Sequence, residues 1–201
     1  MTGAASRDRG QVLPFYAAMM ALMLFAALAF VVVGMAGARR SDAQGAADAA
    51  ALAAAQEVRD NALTGWNLLT LTPEDWEAIV RGRRFDTEGA CSRASDYAGT
   101  NEATVSECDV DVPEFTVSVT TSRTVGDSVI PGTESMRAQA TATALIEPRC
   151  SLQPASTPPP PEGGGPVDIK CRDGSVIIVN PSDPGSLYEL ARKLFVVRLT
   201  D

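Results

Sequence analysis

GQVLPFYAAMMALMLFAALAFVVVGMAGA (10–38), followed by RRSDAQGAADAAALAAAQEVRD (39–60), decides how this chain is built. The first stretch runs 29 residues without a charge, longer than the roughly 20 apolar residues that cross a bilayer as a helix. The second turns almost wholly to alanine, the residue with the highest helix propensity, so the helix is expected to continue to Arg59. Small residues recur there at i, i+4 spacing, at Ala43, Ala47, Ala51 and Ala55, a pattern that lets another backbone come close. Two readings of this segment stand side by side: a helix that packs against other subunits, and a spacer that holds a domain off the membrane.

Arg7 and Arg9 precede the apolar stretch and Arg39 and Arg40 follow it, so flanking charge alone hardly orients it. Ala36-Gly37-Ala38 resembles a secretory processing site, but the hydrophobic region of a cleaved signal runs only about 7–15 residues. The paired arginines lie after the apolar region, where twin-arginine export needs them before it. An uncleaved anchor is the expectation, with the N-terminus cytoplasmic and everything after Arg39 outside the cell membrane.

Composition narrows the function. From Ser41 onward there are 13 basic and 24 acidic residues, 13 − 24 = −11, a charge that repels phosphate backbones and argues against nucleic acid. The chain has no histidine, which removes Ser-His-Asp and Cys-His sites and imidazole metal ligands. There is no G-x-S-x-G elbow and no convincing acid pair. A non-enzymatic protein without cofactor or small-molecule substrate is expected.

Cys91, Cys108, Cys150 and Cys171 all follow the apolar stretch, and none forms a C-x-x-C pair. An even set on one side of a membrane segment reads as two disulfides in an oxidising compartment. Three connectivities exist. The local one, Cys91–Cys108 with Cys150–Cys171, is preferred, and it closes loops of about 16 and 20 residues, each worth on the order of 3 kcal/mol in the chain-entropy model.

Thr72-Pro73-Glu74-Asp75-Trp76 carries a helix start, with Thr as N-cap, Pro at the first position and acids in the first turn. Residues 103–146 read as antiparallel strands: Cys108, Val110 and Val112 share one face of the first, Phe115, Val117 and Val119 alternate with Thr116, Ser118 and Thr120 in the second, and Met136, Ala138, Ala140, Ala142 and Ala144 alternate with Arg137, Gln139, Thr141 and Thr143 in the third. Three such strands need a cover, which the helix over 72–81 or the lower end of the alanine helix would supply. Glu107, Asp109 and Asp111 share the opposite face of the first strand, spaced closely enough to suggest a calcium site. No EF-hand spacing is present, and a solvated acidic face is the simpler reading.

STPPPPEGGGP (156–166) is a stiff run and then a flexible joint. Asp173-Gly174 marks a hairpin between Val167–Arg172 and Ser175–Val179. Asp183-Pro184 opens a short helix, and Phe195–Leu199 reads as a last strand. This β-β-α-β piece is too small to fold alone, so it should join the central sheet.

Arg9-Gly10-Gln11-Val12-Leu13-Pro14 leading into the apolar stretch, with Asp48-Ala49-Ala50-Ala51-Leu52-Ala53-Ala54-Ala55 after it, resembles the N-terminal region of TadE/TadG-like proteins of the tight-adherence (Flp-type) pilus system, in the form of high-GC actinobacteria. The resemblance covers residues 7–58. It implies a pseudopilin-like membrane protein, with an anchor helix, an exported α+β head, and a role in assembling or capping a thin adhesive pilus. Platform proteins, pilins and a motor ATPase would be its partners. Cleavage of the prepilin kind would break the bond between Gly10 and Gln11. The fifth residue after it would then be the assembly glutamate, and here it is Phe15. That departure fits an anchored accessory member better than a polymerising pilin.

The fold expected is therefore α+β, a long N-terminal transmembrane/stalk helix followed by a small antiparallel-sheet extracytoplasmic domain. Its parts are a cytoplasmic leader (1–10), a transmembrane helix (11–38), an alanine-rich stalk helix (39–60), an α+β domain (61–150), a Pro/Gly linker (151–166) and a C-terminal addition (167–201). The competing reading is a generic single-span surface sensor or binding domain on a spacer.

Overall fold

A computed structural model of the protein describes residues 12–124, 135–153 and 165–200. The Gly10–Gln11 bond, the loop holding Gly126 and Pro131-Gly132, and the Pro/Gly linker over 154–164 lie outside the described residues. The first helix, α1, runs Val12–Asp60, with Pro14 in its first turn, where a missing N–H costs no hydrogen bond. The chain divides into two compact units, residues 1–39 and 40–201. The second is the head.

The head is α+β. Its main sheet is antiparallel, in the order β1-β2-β3-β7, with β1 at Ala103–Asp111, β2 at Glu114–Thr124, β3 at Arg137–Pro148 and β7 at Phe195–Leu199. Phe115, Val117 and Val119 of β2 and Ala142, Ala144 and Ile146 of β3 are buried on one face. On the other face Thr116 and Thr143, and Ser118 and Thr141, meet as cross-strand hydroxyl pairs at 2.9 and 2.8 Å, the polar side of a half-solvated sheet. β1 has a register shift between Val105 and Glu107. The extra residue resets the alternation, so Cys108 and Val110 stand opposite Val117 and Phe115. Glu107, Asp109 and Asp111 are thereby exposed rather than buried.

A second, three-stranded sheet, β4-β5-β6, is made of Cys150–Leu152, Val167–Cys171 and Val176–Val179. The C-terminal addition is thus shared between two sheets. Its last strand joins the main sheet beside β3, whereas its hairpin pairs with β4 instead. The physical reason lies at the end of β3: Arg149 donates its N–H to the Leu194 carbonyl, and one residue later the chain is already paired with β5, Cys150 opposite Cys171.

Among the described residues three shorter α-helices, α2 at Pro73–Val80, α3 at Ala90–Thr100 and α4 at Leu187–Leu194, and a 3-10 turn at Leu68–Thr70 complete the head. Thr72 and Asp75 form a reciprocal capping box at the start of α2. Ser186 caps α4 through the Glu189 N–H. α3 was not legible in the sequence, because only Ala90, Ala94 and Ala98 form its buried face.

The alanine helix differs most from the sequence reading. Within the head, Ala43, Ala46, Ala47, Ala50, Ala51, Ala53, Ala54, Ala55 and Val58 of α1 are all buried. Of these, Ala46, Ala47, Ala50, Ala51, Ala54, Ala55 and Val58 share one contiguous core with Phe115, Val117 and Val119, with the α3 alanines, and with Trp76, Ile79 and Val80 of α2. Neither the free spacer nor the helix offered to other subunits describes residues 40–60. They are the central helix of the head, and alanine is used because a small side chain lets surrounding elements close on the backbone. The buried face of this helix shares its core with the sheet's apolar face and with residues of α2, α3 and α4.

Candidate functional site

The candidate functional features lie on the two halves of α1. In the first unit, Leu13–Val31 is a 19-residue window of mean hydropathy 2.1, none of it buried by protein. Phe15 and Phe30 are each 80% exposed. Water tolerates no apolar surface of that extent on a soluble monomer, and the length and composition suffice to cross a membrane. Leu22, Met23, Leu24, Phe25 and Leu28 are exposed as well, so the apolar surface goes round the whole helix, as lipid contact requires.

In the second unit the same helix offers little outward. Asp42, Gln44 and Gln56 lie on its exposed side, and Gln44 donates to Asp48 at 2.8 Å. Glu57 accepts from Asn61 at 2.9 Å and stands 3.6 Å from Arg93 of α3. The four alanines singled out by spacing, Ala43, Ala47, Ala51 and Ala55, are each at 0% exposure. They pack within the head and present no surface to another subunit.

The cysteines form two bridges, Cys91–Cys108 and Cys150–Cys171, with no free cysteine among the described residues. The first ties α3 to β1; the second ties β4 to β5 across the linker. Each sits where the local core is thin. α3 contributes only alanines, and the second sheet has three short strands.

Glu107, Asp109 and Asp111 lie in a row on the exposed side of β1. Among the described residues no group of three or more His, Cys, Asp or Glu is arranged to hold a metal ion. The carboxylates stand side by side along the strand and do not converge on a point.

A shallow cleft of about 350 Å³ opens at the end of the main sheet, lined by Arg81, Gly82, Arg83, Val112, Pro113, Ile146 and Pro148. Gly82 ends α2 with φ +70, and a Cβ there would stand 3.1 Å from the Phe85 ring. Phe85 in turn meets Phe195 edge-on at 5.1 Å. The cleft is an open notch at the surface of the head.

Where carboxyl groups are shifted, the cause is structural. Asp75 is held below its ordinary value by the Thr72 backbone N–H, then by the Thr72 hydroxyl and the charge of Arg84. Arg84 reaches it at 2.5 Å and also lies over the Trp66 ring. Glu147 is lowered by its hydrogen bond from Arg198, and Asp173 by the Ser175 hydroxyl and N–H. These groups cap a helix, pin two strands and close a hairpin; none points into a shared cavity.

Residues 10–57 match the model of the family described as "Putative Flp pilus-assembly TadE/G-like". The match falls where the sequence resemblance placed it, across the apolar half of α1 and nearly all of its buried half. No curated protein and no solved structure matches the chain.

Proposed function

We propose that this protein is a membrane-anchored, pseudopilin-like accessory component of a Flp/Tad-type pilus-assembly or secretion apparatus, and that its role is structural rather than enzymatic. A single observation carries the reading: the family match at 10–57 spans one helix that is bare apolar surface in one unit and buried core in the other. A segment of that kind fixes a folded head to a bilayer. The head lies outside the cytoplasm, a placement supported by its two disulfides and by the four cysteines all following the apolar stretch. Platform proteins and pilins of the same apparatus are its partners. Phe15, exposed in the apolar half of α1, offers no carboxylate to a neighbouring amine, which favours an anchored accessory over a polymerising pilin.

The test is the intact mass of the membrane-extracted protein together with thiol labelling of spheroplasts. A full-length or Gln11-started chain that floats with membranes, with its bridges protected outside, supports the reading. A chain shortened through Ala38 and released to the medium contradicts it.

A further inference from the structure

Among the described residues the two sheets of the head have four outer strands, and they are not treated alike. β1 carries Glu107, Asp109 and Asp111 and a register shift. β7 presents Arg198, ion-paired with Glu147. β4 lies against α2. Charges, bulges and cover of this sort prevent an open edge from pairing with another strand. β6, Val176–Val179, has no charge, no proline and no register shift. Val176 is 52% and Ile178 69% exposed.

The backbone of β6 is also turned outward at those two residues. Cys171 donates its N–H to the Ser175 carbonyl, and Ile169 stands opposite Ile177 in the same ladder. Bonded positions alternate along an antiparallel strand, so Ser175, Ile177 and Val179 face β5. The N–H and C=O of Val176 and Ile178 therefore point to the free side.

We propose that β6 pairs antiparallel with β6 of a second copy of this chain, across a two-fold axis centred on Ile177. In that register Val176 stands opposite Ile178 of the second copy, and each exchanges N–H and C=O with the other, once on either side of the axis. The two three-stranded sheets become one continuous sheet. On its exposed face each row runs Lys170, Val176, then Ile178 and Asp168 of the second copy, because Lys170 is opposite Val176 and Asp168 opposite Ile178 within one chain. Every apolar pair is thus bracketed by opposite charges.

A register centred on Ile178 is worse on two counts. It brackets an Ile178–Ile178 pair with two Asp168 carboxylates. Its next rung would also need Asn180, whose carbonyl already accepts from the Asp183 N–H. The two-fold contact uses the same edge on both copies, so it closes at a dimer. A four-residue edge buries far less than the roughly 1,200 Å² of a stable soluble complex. The pairing therefore rests on the anchoring reading above, since copies held in one bilayer meet at a raised effective concentration.

The experiment uses the full chain in liposomes, with V176C and I178C variants carrying different tags, each reconstituted alone and both reconstituted together in the same vesicles as a mixed sample, then mildly oxidised. Both positions are exposed, so neither change disturbs the core. The expected result is a V176C–I178C cross-link, located by peptide mapping, in the mixed sample, with little product from either variant alone. The proposal is overturned if I178C alone cross-links as well as the mixture, or if nothing cross-links while the protein floats with the liposomes. In the latter case the anchoring reading stands and the edge pairing falls. Protein that does not float overturns the anchoring reading, and with it the confinement the pairing needs.

Discussion

One helix, two surroundings: over residues 13–31 of α1 the large apolar side chains are bare, whereas over residues 43–58 the apolar face is built mostly of alanine and is enclosed. Both are helical for the same backbone reasons, and both are uncharged along their contact surfaces. They differ in side-chain size, and size separates the two environments. Fluid acyl chains adapt to Leu, Met and Phe of any shape. A folded core does not adapt, so a helix surrounded by a sheet and two other helices is built from alanine to let them close. The difference teaches that alanine richness beside a long, exposed apolar helix is here a packing instruction rather than a sign of an idle spacer.

The harshest way to break that contrast is a charge. Ala54→Asp places an unpaired carboxylate at a position with 0% exposure. It should abolish cooperative unfolding of the head, because an isolated buried charge costs more than the about 5–15 kcal/mol that holds a domain together. Circular dichroism of the purified variant checks it.

Next in size is loss of a bridge. C150S with C171S opens the loop across the linker, and should lower head stability by about 3 kcal/mol, read as a fall in the denaturation midpoint. The span's own helicity in lipid should not change.

A paired substitution sharpens the comparison. Ala50→Leu overpacks an enclosed site and should cost about 1–3 kcal/mol. Ala27→Leu, at an exposed position of the same helix, should leave the melting temperature of the head where it was.

Smaller still is the cap of α2. Thr72→Ala removes the hydroxyl that accepts from the Asp75 N–H at 3.2 Å, and should cost about 1 kcal/mol. Asp75, Glu147 and Asp173 all have carboxyls lowered in the folded state. Their contribution is complete above the ordinary carboxylate values of 3.8 and 4.5 and is lost as pH falls through the lowered ones. Acid titration of head stability should be flat down to that range and then fall, and Thr72→Ala should shrink the fall. A head whose stability rises on acidification would contradict these assignments.

Much of the fold can be read from the chain because its signals are local. Thr72-Pro73 with Asp75 is a complete capping device, and Asp173-Gly174 fixes a hairpin whose Gly174 has φ +86. The alternation of Phe115, Val117 and Val119 against Thr116 and Ser118 names both faces of β2. α3 escapes because Ala90, Ala94 and Ala98 are too weakly apolar to stand out. The burial of residues 43–58 escapes for the same reason, since alanine reads alike on a spacer and in a core, and only the elements that close around it decide.

The second sheet escapes a reading of the sequence because β4 is three residues long and pairs only through Cys150 opposite Cys171 and its neighbours across the ladder. At the candidate site the apolar half of α1 was legible from length and hydropathy. The open edge at Val176 and Ile178 was not, because exposure on an outer strand depends on which strands lie beside it.

Hydrogen exchange of the full chain in a lipid bilayer, followed by mass spectrometry at increasing urea, tests the division of α1 most directly. Peptides covering 43–58 should lose protection together with those covering 115–119 of β2, at the urea concentration that unfolds the head, while 13–31 stay protected by lipid. Exchange of 43–58 in native buffer, or protection that outlasts the unfolding of β2, would contradict the assignment of this segment to the head's core.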